Sequence, residues 1–258
     1  MTANEIQEAV QTYIEHHTMS NPHVWHLPFF SISLPQPFSL HAAMLLICGL
    51  LLVVTFGLLY RKNGGAPRGL TNCLEIFILF VRDQIAIPNM GAADGRKFTP
   101  FLCTLFFFVL GLNVMGLIPL FVSATANVNV TAALALVTLM FMIGGGIYHN
   151  GVVGFVKSFT PHGVPWPILI ILVPIEIVGM FVKPFALTIR LFANMLAGHV
   201  VIFSLLGLAV TFGLVAAVPA VAMACVIYLL EILVAFLQAF IFTLLTAMFI
   251  GSCMHPAH

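Results

Sequence analysis

Charged residues are scarce in this sequence, and their scarcity excludes an ordinary soluble fold. Only 7% of the 258 residues are charged and 61% are hydrophobic, whereas about 25% of the residues in soluble domains are charged. The mean hydropathy of +1.13 points the same way. A globule of this length has no room to hide so much apolar surface, because a large part of its surface faces water. The composition therefore predicts an integral membrane protein.

The sequence also lacks the features of several other classes of protein. Its net charge is +1, which excludes the basic footprint of a nucleic-acid-binding protein. Residues Met1 to Ser20 have neither a basic start nor an apolar core, so we predict no cleavable signal peptide there. No internal repeat is apparent, which argues against a secondary transporter built from two related halves.

The cysteine and histidine patterns predict no metal site and no cofactor. The cysteines have no paired spacing, and we interpret them as small apolar residues within helices. They are Cys48, Cys73, Cys103, Cys225 and Cys253. The histidines near the termini are interpreted as solvated: His16, His17, His23, His26, His255 and His258. A haem-binding subunit needs paired histidines inside its spans, and only His199 lies clearly inside one.

The chain divides into an outside-facing polar segment, residues 1–39, and a single membrane domain, residues 40–258. Four prolines in the polar segment favour extended or turn structure. Residues 70–87 mix apolar and charged positions, which predicts an amphipathic helix at the membrane interface. Apolar stretches of spanning length predict further helices over residues 40–60, 98–122, 128–148, 168–215 and 220–250. The predicted fold class is an all-α polytopic membrane protein with five to six helices.

The last two apolar stretches are unusually long for membrane spans. A continuous helix over residues 168–215 is about 70 Å long, more than twice the roughly 30 Å thickness of the hydrocarbon layer. We therefore expect this helix to be strongly tilted, broken, or both.

The placement of basic residues predicts the orientation of the chain. Six of the nine lysines and arginines lie within residues 61–97, a seventh is Lys157, and the first 39 residues contain none. The positive-inside rule places basic loops on the cytoplasmic or matrix side. We therefore predict an outside N-terminus and an inside C-terminus.

Four ionisable residues interrupt the two long apolar stretches: Glu176, Lys183, Arg190 and Glu231. Each charge at membrane depth costs about 2.5–3.5 kcal/mol on insertion scales, so four of them indicate a function. The first three are seven residues apart, which places them near one helical face. Two antiparallel helices can present facing polar stripes, because Asn194 lies one turn beyond Arg190 and Gln238 lies seven residues beyond Glu231.

Arg190 has two interpretations. Its guanidinium keeps its positive charge in any protein environment. An ion pair with Glu231 or Glu176 would make it a helix-packing residue. Alternatively, it faces an adjoining surface, where it attracts a partner's carboxylate and repels passing protons or sodium ions. Small neighbours that allow close approach favour the second interpretation; these are Ala193, Ala197 and Gly198.

The remaining polar residues also have two interpretations each. A pair formed by His199 and Glu231 either relays protons along a wet crevice or is a satisfied hydrogen-bonded pair. Asn194 and Gln238 either bind water and carboxylates or join two helices.

The two ionisable residues before Arg190 are treated separately. Lys183 is predicted to extend its ammonium to the lipid headgroups, in preference to a transport role. Glu176 either pairs with Lys183 or lines an access channel.

Four sequence motifs resemble subunit a of F-type ATP synthases. The most specific is Lys183-Pro-Phe-Ala-Leu-Thr-Ile-Arg190-Leu-Phe-Ala-Asn194-Met-Leu-Ala-Gly-His199. A second is Glu231-Ile-Leu-Val-Ala-Phe-Leu-Gln238-Ala-Phe-Ile-Phe-Thr-Leu-Leu-Thr. Two shorter motifs lie at residues 112–119 and 125–131, and together the four occur in the family's order over residues 40–252.

The resemblance implies a non-catalytic stator subunit with a long, nearly horizontal C-terminal hairpin against a ring of c subunits. Arg190 occupies the position of the arginine that separates two aqueous half-channels. Polar positions assigned to the outer half-channel are matched by Asn194, His199, Glu231 and Gln238. Glu176 matches an acidic half-channel position. Other implied partners are the peripheral-stalk b subunits, the remaining synthase subunits and lipid.

The resemblance also helps to predict which membrane contains the protein. Many bacterial members of the family carry Glu at position 199 and His at position 231, whereas this chain carries His199 and Glu231, as mitochondrial and some bacterial members do. Because no presequence is apparent, we expect a bacterial inner membrane, with the mitochondrial inner membrane as the alternative.

Overall fold

The computed structural model describes residues 24–26, 31–33, 39–59, 69–118, 121–160 and 166–255. Two short strands, β1 (Val24–His26) and β2 (Ser31–Ser33), pair antiparallel with Trp25 opposite Ile32. The α-helices are α1 (Leu40–Leu59), α2 (Leu70–Phe80), α3 (Ile87–Leu117), α4 (Val128–Lys157), α5 (Trp166–Phe212) and α6 (Leu214–Met254). A π-helical segment (Val81–Ala86) joins α2 to α3, and a 3₁₀ turn (Ala124–Ala126) precedes α4.

Helix boundaries follow from local side-chain chemistry. Ser39 precedes α1, and its Oγ accepts a hydrogen bond from the N–H of Ala42 at 3.3 Å. Asn127 precedes α4, and its Oδ1 accepts from the N–H of Asn129 at 2.9 Å. Both are side chains that commonly cap helix N-termini. Gly213, with a φ of 71°, is the one residue between α5 and α6, in the left-handed region that glycine adopts without strain.

The segment 70–117 is more continuous than the sequence predicts. The predicted gap between residues 87 and 98 is helical, because α3 begins at Ile87 and only Gly91, with a φ of 79° and a ψ of 166°, departs from helical geometry. A glycine tolerates this backbone conformation, and Gly91 therefore marks a kink between two helical pieces of α3. At its C-terminal end, α3 stops at Leu117, five residues before the predicted end.

The glycine run in α4 does not end the helix, although the sequence suggests that it should. A Cβ on Gly146 would lie 2.6 Å from the Phe155 ring, and one on Gly145 would lie 3.2 Å from the Ile250 side chain. These glycines therefore permit close packing within a continuing helix. A kink with non-helical geometry lies at Gly151, which has a φ of 69°, and a short helical piece continues from there to Lys157.

The two long C-terminal stretches are each one uninterrupted helix. α5 has 47 residues and α6 has 41, so their lengths are about 70 Å and 60 Å. The helix has no break between Trp166 and Phe212, although Pro174 and Pro184 lie inside it, and the predicted stretch 168–215 is interrupted at Gly213. Strong tilt in the membrane stays a prediction.

The described chain contains two compact units, each with its own packed interior. The first comprises Met1–Leu51, Phe108–Thr131 and Ile189–Ala239. A cluster of its buried side chains consists of Leu117, Ala126, Met195 and Ala235. The Tyr228 hydroxyl in this unit donates a 3.1 Å hydrogen bond to the carbonyl of Leu117, which satisfies one of the free carbonyls at the end of α3.

The second unit comprises Leu52–Phe107, Ala132–Thr188 and Phe240–His258. Fully buried side chains include Ile85, Phe106, Met142, Phe242 and Ile250. The hydroxyls of Thr138 on α4 and Thr246 on α6 lie 3.3 Å apart and share a buried hydrogen bond. Such a bond between helices satisfies polar groups where water is excluded.

Five helical stretches in the described part of the chain are long and apolar enough to cross a membrane. They are Leu40–Gly57, Thr71–Leu117, Val128–Lys157, Pro167–Ala209 and Ala216–Met254. Large apolar side chains are widely exposed on them, for example Val53 at 71% and Met140 at 72%. Contiguous exposed apolar surface of this kind requires lipid or another protein as its solvent. The protein is therefore an all-α polytopic membrane protein, as predicted.

Gly251 on α6 is expected to be intolerant of even a methyl group. A Cβ there would overlap the backbone carbonyl of Asn89, and a backbone atom cannot move aside as a flexible side chain can. We expect Gly251→Ala to lower the free energy of unfolding by about 1–3 kcal/mol, the usual cost of overpacking, in thermal unfolding of the detergent-solubilised protein. Gly144→Ala is the matched control, because no atom lies within 4 Å of that Cβ. Equal stability of the two variants would contradict the packing argument.

Candidate functional site

A small cavity in the first unit is lined by apolar side chains and by four polar ones. Its volume is about 20 Å³, and a cavity of roughly 10–15 Å³ or more holds a water molecule. Its lining residues come from α3, α5 and α6: Asn113, Leu191, Asn194, Met195, Glu231, Val234, Ala235 and Gln238. Three of the residues that the sequence assigns to a transport path, Asn194, Glu231 and Gln238, therefore meet at one place.

Asn194 and Gln238 are joined across this cavity. The Asn194 amide donates a 3.0 Å hydrogen bond from Nδ2 to Oε1 of Gln238. Gln238 is only 3% exposed, whereas Asn194 lies on the exposed side of α5. The bond therefore connects the buried interior to the outer face of the helix. Of the two interpretations that the sequence leaves open for this pair, the helix–helix hydrogen bond is formed, and it is formed at the cavity wall.

Glu231 is buried without a hydrogen-bond partner among the described residues. Glu231 is 7% exposed, and both of its carboxyl oxygens are inaccessible to solvent. The backbone of Gly198 lies so close that a Cβ there would overlap the carboxyl group. A buried carboxyl without a partner costs free energy, so its position beside a cavity that admits water indicates a function.

Asn113 is a cavity residue that the sequence reasoning missed. Its Nδ2 donates a 3.3 Å hydrogen bond to the carbonyl of Ala235, and its Oδ1 is buried without a partner in the part of the chain described. The available signal was a single asparagine inside the apolar stretch 98–122. A lone polar side chain in such a stretch usually faces another helix or a wet cavity.

His199 lies beside this site but does not line the cavity. It is half-buried on α5, and its ring centroid is 6.3 Å from that of Phe203. Its neighbour Gly198 lies against the Glu231 carboxyl. A proton relay through His199 and Glu231 stays a prediction.

Arg190 projects from the exposed face of α5. Within the described residues it has no hydrogen bond and no ion pair, and it therefore does not pair with Glu231. The helix-packing interpretation of Arg190 finds no support in this geometry. Exposed neighbours on the same face are Ala186, Ala193, Asn194 and Ala197. The fixed positive charge therefore lies among small side chains and one amide.

Lys183 and Glu176 belong to the second unit and occupy different environments. The Lys183 ammonium lies 5.4 Å from the centroid of the Phe249 ring, within the range of a cation–π interaction. Glu176 is exposed. These two residues form no ion pair in the described chain, so a Glu176–Lys183 pair is not what fixes either side chain.

The fold and this site define a polytopic membrane protein with a small cavity that a carboxyl group lines, and with an exposed arginine that has no ion pair among the described residues. The family model described as the ATP synthase A chain matches residues 42–251. The chain therefore belongs to the ATP synthase A chain family, as its motifs predict.

Several bacterial relatives support the family assignment. The chain is 49% identical over 217 residues to ATP synthase subunit a of Anaeromyxobacter dehalogenans strain 2CP-C, covering 82% of this chain and 56% of that protein. It is 47% identical to subunit a of Chloroherpeton thalassium, covering 89% of this chain and 69% of that protein. The corresponding values for Myxococcus xanthus are 46%, 84% and 73%. The chain thus spans little more than half of the first relative's length.

Proposed function

We propose that this chain is the non-catalytic stator subunit of a rotary F-type ATP synthase, and that it passes protons to and from the carboxylates of a c-subunit ring. The observation that carries the proposal is the cavity at which Asn194, Glu231 and Gln238 meet inside apolar helices. Polar groups at membrane depth are expensive, and a path for ions is the function that requires them.

Protons enter from outside through a half-channel that contains Asn194, His199, Glu231 and Gln238, with Glu176 as a less direct wall residue. They protonate a c-ring carboxylate, which then faces lipid as a neutral group, since an ionised one would lose its hydration. After almost a full turn the carboxylate releases its proton into the inner half-channel. Each charge that crosses gains about 2.3 kcal/mol per 100 mV.

Arg190 separates the two half-channels in this mechanism. Its exposed position without an ion pair in the described chain supports a role toward a partner. The fixed positive charge attracts a deprotonated ring carboxylate and repels a proton that would pass directly between the channels. Lys183, beside Phe249, has at most a secondary role in this path.

The remaining features of the proposal concern location and assembly. Bacterial relatives and five membrane-span helices support a bacterial plasma membrane. The N-terminus lies outside and the C-terminus in the cytoplasm, as the basic loops predict. The partners are the c-ring, the peripheral-stalk b subunits and the other synthase subunits.

Removal of the amide pair tests the proposed path. Asn194→Ala and Gln238→Ala are each expected to lower proton-driven ATP synthesis several-fold in vesicles that carry the whole enzyme. A net hydrogen bond is worth about 0.5–1.5 kcal/mol, and either change removes the same bond. The double variant should therefore be little worse than the poorer single variant.

Ser204→Ala is the matched control for this test. Ser204 is an exposed polar residue on α5 whose hydroxyl donates only to the carbonyl of Val200 in its own helix. Its removal should leave synthesis at the wild-type rate. Wild-type synthesis in the Asn194 and Gln238 variants would place the proton path elsewhere.

A further inference from the structure

Three side chains from three helices meet in the second unit, and none of them lines the cavity described above. Asp94 follows the bend at Gly91 in α3, His149 precedes the bend at Gly151 in α4, and His255 follows the end of α6. Their ligand atoms all lie within 4.8 Å of one another. The cluster plays no part in the proposed function.

The contacts of Asp94 divide between its two carboxyl oxygens. Oδ1 accepts a 3.3 Å hydrogen bond from Nζ of Lys97. Oδ2 lies 3.6 Å from Nε2 of His149 and 3.5 Å from Nε2 of His255. One oxygen and two imidazole nitrogens therefore converge on a single point, and Lys97 holds the carboxylate from its other side.

The hydrogen bonds of Asn150 assign the tautomer of His149. The Asn150 amide donates from Nδ2 to the carbonyls of Cys253 and Met254, each at 3.1 Å. Its Oδ1 is thus left as an acceptor, 3.3 Å from Nδ1 of His149. We assign the proton of the neutral imidazole to Nδ1 because only a donor can face that oxygen. Nε2 then presents a lone pair to Asp94.

Two lone-pair-bearing atoms that face each other at 3.6 Å are stabilised when a cation lies between them. A proton can bridge the carboxylate to one histidine, whereas a metal ion accepts all three ligand atoms at once. Zinc bonds of about 2.0–2.2 Å place tetrahedral ligands about 3.4 Å apart, close to the separations of Oδ2 from the two nitrogens. A histidine whose second nitrogen donates to a fixed oxygen is the usual arrangement at a metal site.

We propose that Asp94, His149 and His255 bind a divalent transition-metal ion of the zinc class. Two imidazoles and a carboxylate suit such an ion. The side chains of His149 and His255 are 36% and 49% exposed, so solvent reaches the site and water completes the coordination. A bound ion fastens the end of α6 to α3 and α4.

Zinc binding to the complete enzyme tests the proposal. The enzyme is purified with a histidine-free tag and titrated with Zn²⁺ in excess Mg²⁺. We expect the wild-type enzyme to bind one more zinc ion per copy of this chain than Asp94→Asn, His149→Ala or His255→Ala. Asn150→Ala should keep the ligands but weaken zinc binding by about 10–100-fold, since it removes the partner that orients His149. Co²⁺ in place of zinc should give a visible absorption band that the three ligand variants lack.

A histidine outside the cluster provides the matched control. His23→Ala removes a terminal histidine and should leave zinc stoichiometry and the cobalt band unchanged. Zinc should also raise the melting temperature of the wild-type subunit but not that of the ligand variants. Equal zinc binding in all variants, or no saturable binding to the wild type, would overturn the proposal and would leave the proposed ion path unaffected.

Discussion

Replacing Arg190 with alanine is expected to reduce proton-driven ATP synthesis to the background of uncoupled vesicles, while the enzyme still assembles. Arg190 lies on the exposed face of α5 and has no ion pair in the described chain. Its removal therefore leaves no buried carboxylate unpaired within this subunit, and the fold should not suffer. The variant should therefore lose ATP synthesis, which requires the fixed charge to act on a partner subunit, without losing its fold.

The physical reason for so large an effect is that no other residue within one helical turn of Arg190 carries a positive charge. A guanidinium stays protonated at any working pH, whereas the nearby polar groups on the cavity, Asn194 and Gln238, are neutral. Without the cation, a deprotonated ring carboxylate is not attracted to the interface, and protons pass between the half-channels without rotation. Passive proton flux through the membrane sector should therefore rise or persist while synthesis stops.

Ile189→Ala is the control for the Arg190 experiment. Ile189 is the adjacent residue and is 42% exposed on the same helix, so its truncation alters the surface but not the charge. Synthesis by this variant should stay close to wild type. If Arg190→Ala vesicles synthesise ATP at the wild-type rate, Arg190 is a packing residue and the charge-barrier mechanism is wrong.

Replacing Glu231 with glutamine is expected to lower proton-driven ATP synthesis without lowering the melting temperature of the subunit. Glutamine has nearly the same shape but cannot take up and release a proton. Proton transfer by a positioned side chain commonly contributes about 10²–10⁴-fold to a rate, so synthesis should fall by at least about tenfold. The melting temperature of the subunit should not fall, because the carboxyl that is removed has no partner in the described chain and its burial is costly.

Two further variants make the Glu231 experiment decisive. Glu231→Asp retains a titratable group but shortens the side chain, and should recover part of the rate. Glu75→Gln removes an exposed carboxylate on α2 that does not line the cavity, and should leave synthesis unchanged. Loss of folding in Glu231→Gln, or a full synthesis rate in it, would instead make Glu231 a structural residue.

The sequence predicts helix boundaries well where they follow from hydrophobicity alone. It predicts them less well where close contacts between helices determine where a helix continues. The start of α1 at Leu40 follows from Ser39 and the apolar run after it. The glycines of α4 suggest a helix end, but the close approach of Phe155 and Ile250 makes glycine necessary inside the helix. Such contacts join residues distant in sequence, and hydropathy carries no information about them.

The site is predicted only in part, because some of its contacts also join residues that are distant in sequence. Asn194, Glu231 and Gln238 follow from helical spacing, since positions four or seven apart share a face. Asn113 does not, because it comes from a third helix and its place at the cavity depends on how α3 packs. The contact of Asp94 with His149 and His255 was likewise not predicted from the sequence, because the three residues are distant in sequence. His255 is interpreted from the sequence as a solvated terminal residue.

The sparse internal packing of α5 makes the stability of this subunit depend on mass action. Only 6% of an 18-residue apolar stretch of this helix is buried by its own chain, against 61% for the stretch in Thr71–Leu117. Whatever covers that surface binds the folded subunit and shifts its folding equilibrium in proportion to the logarithm of its concentration. The free energy of unfolding of the subunit therefore depends on the concentration of the molecules that cover α5. A copy made in excess of its partners is less stable than an assembled one.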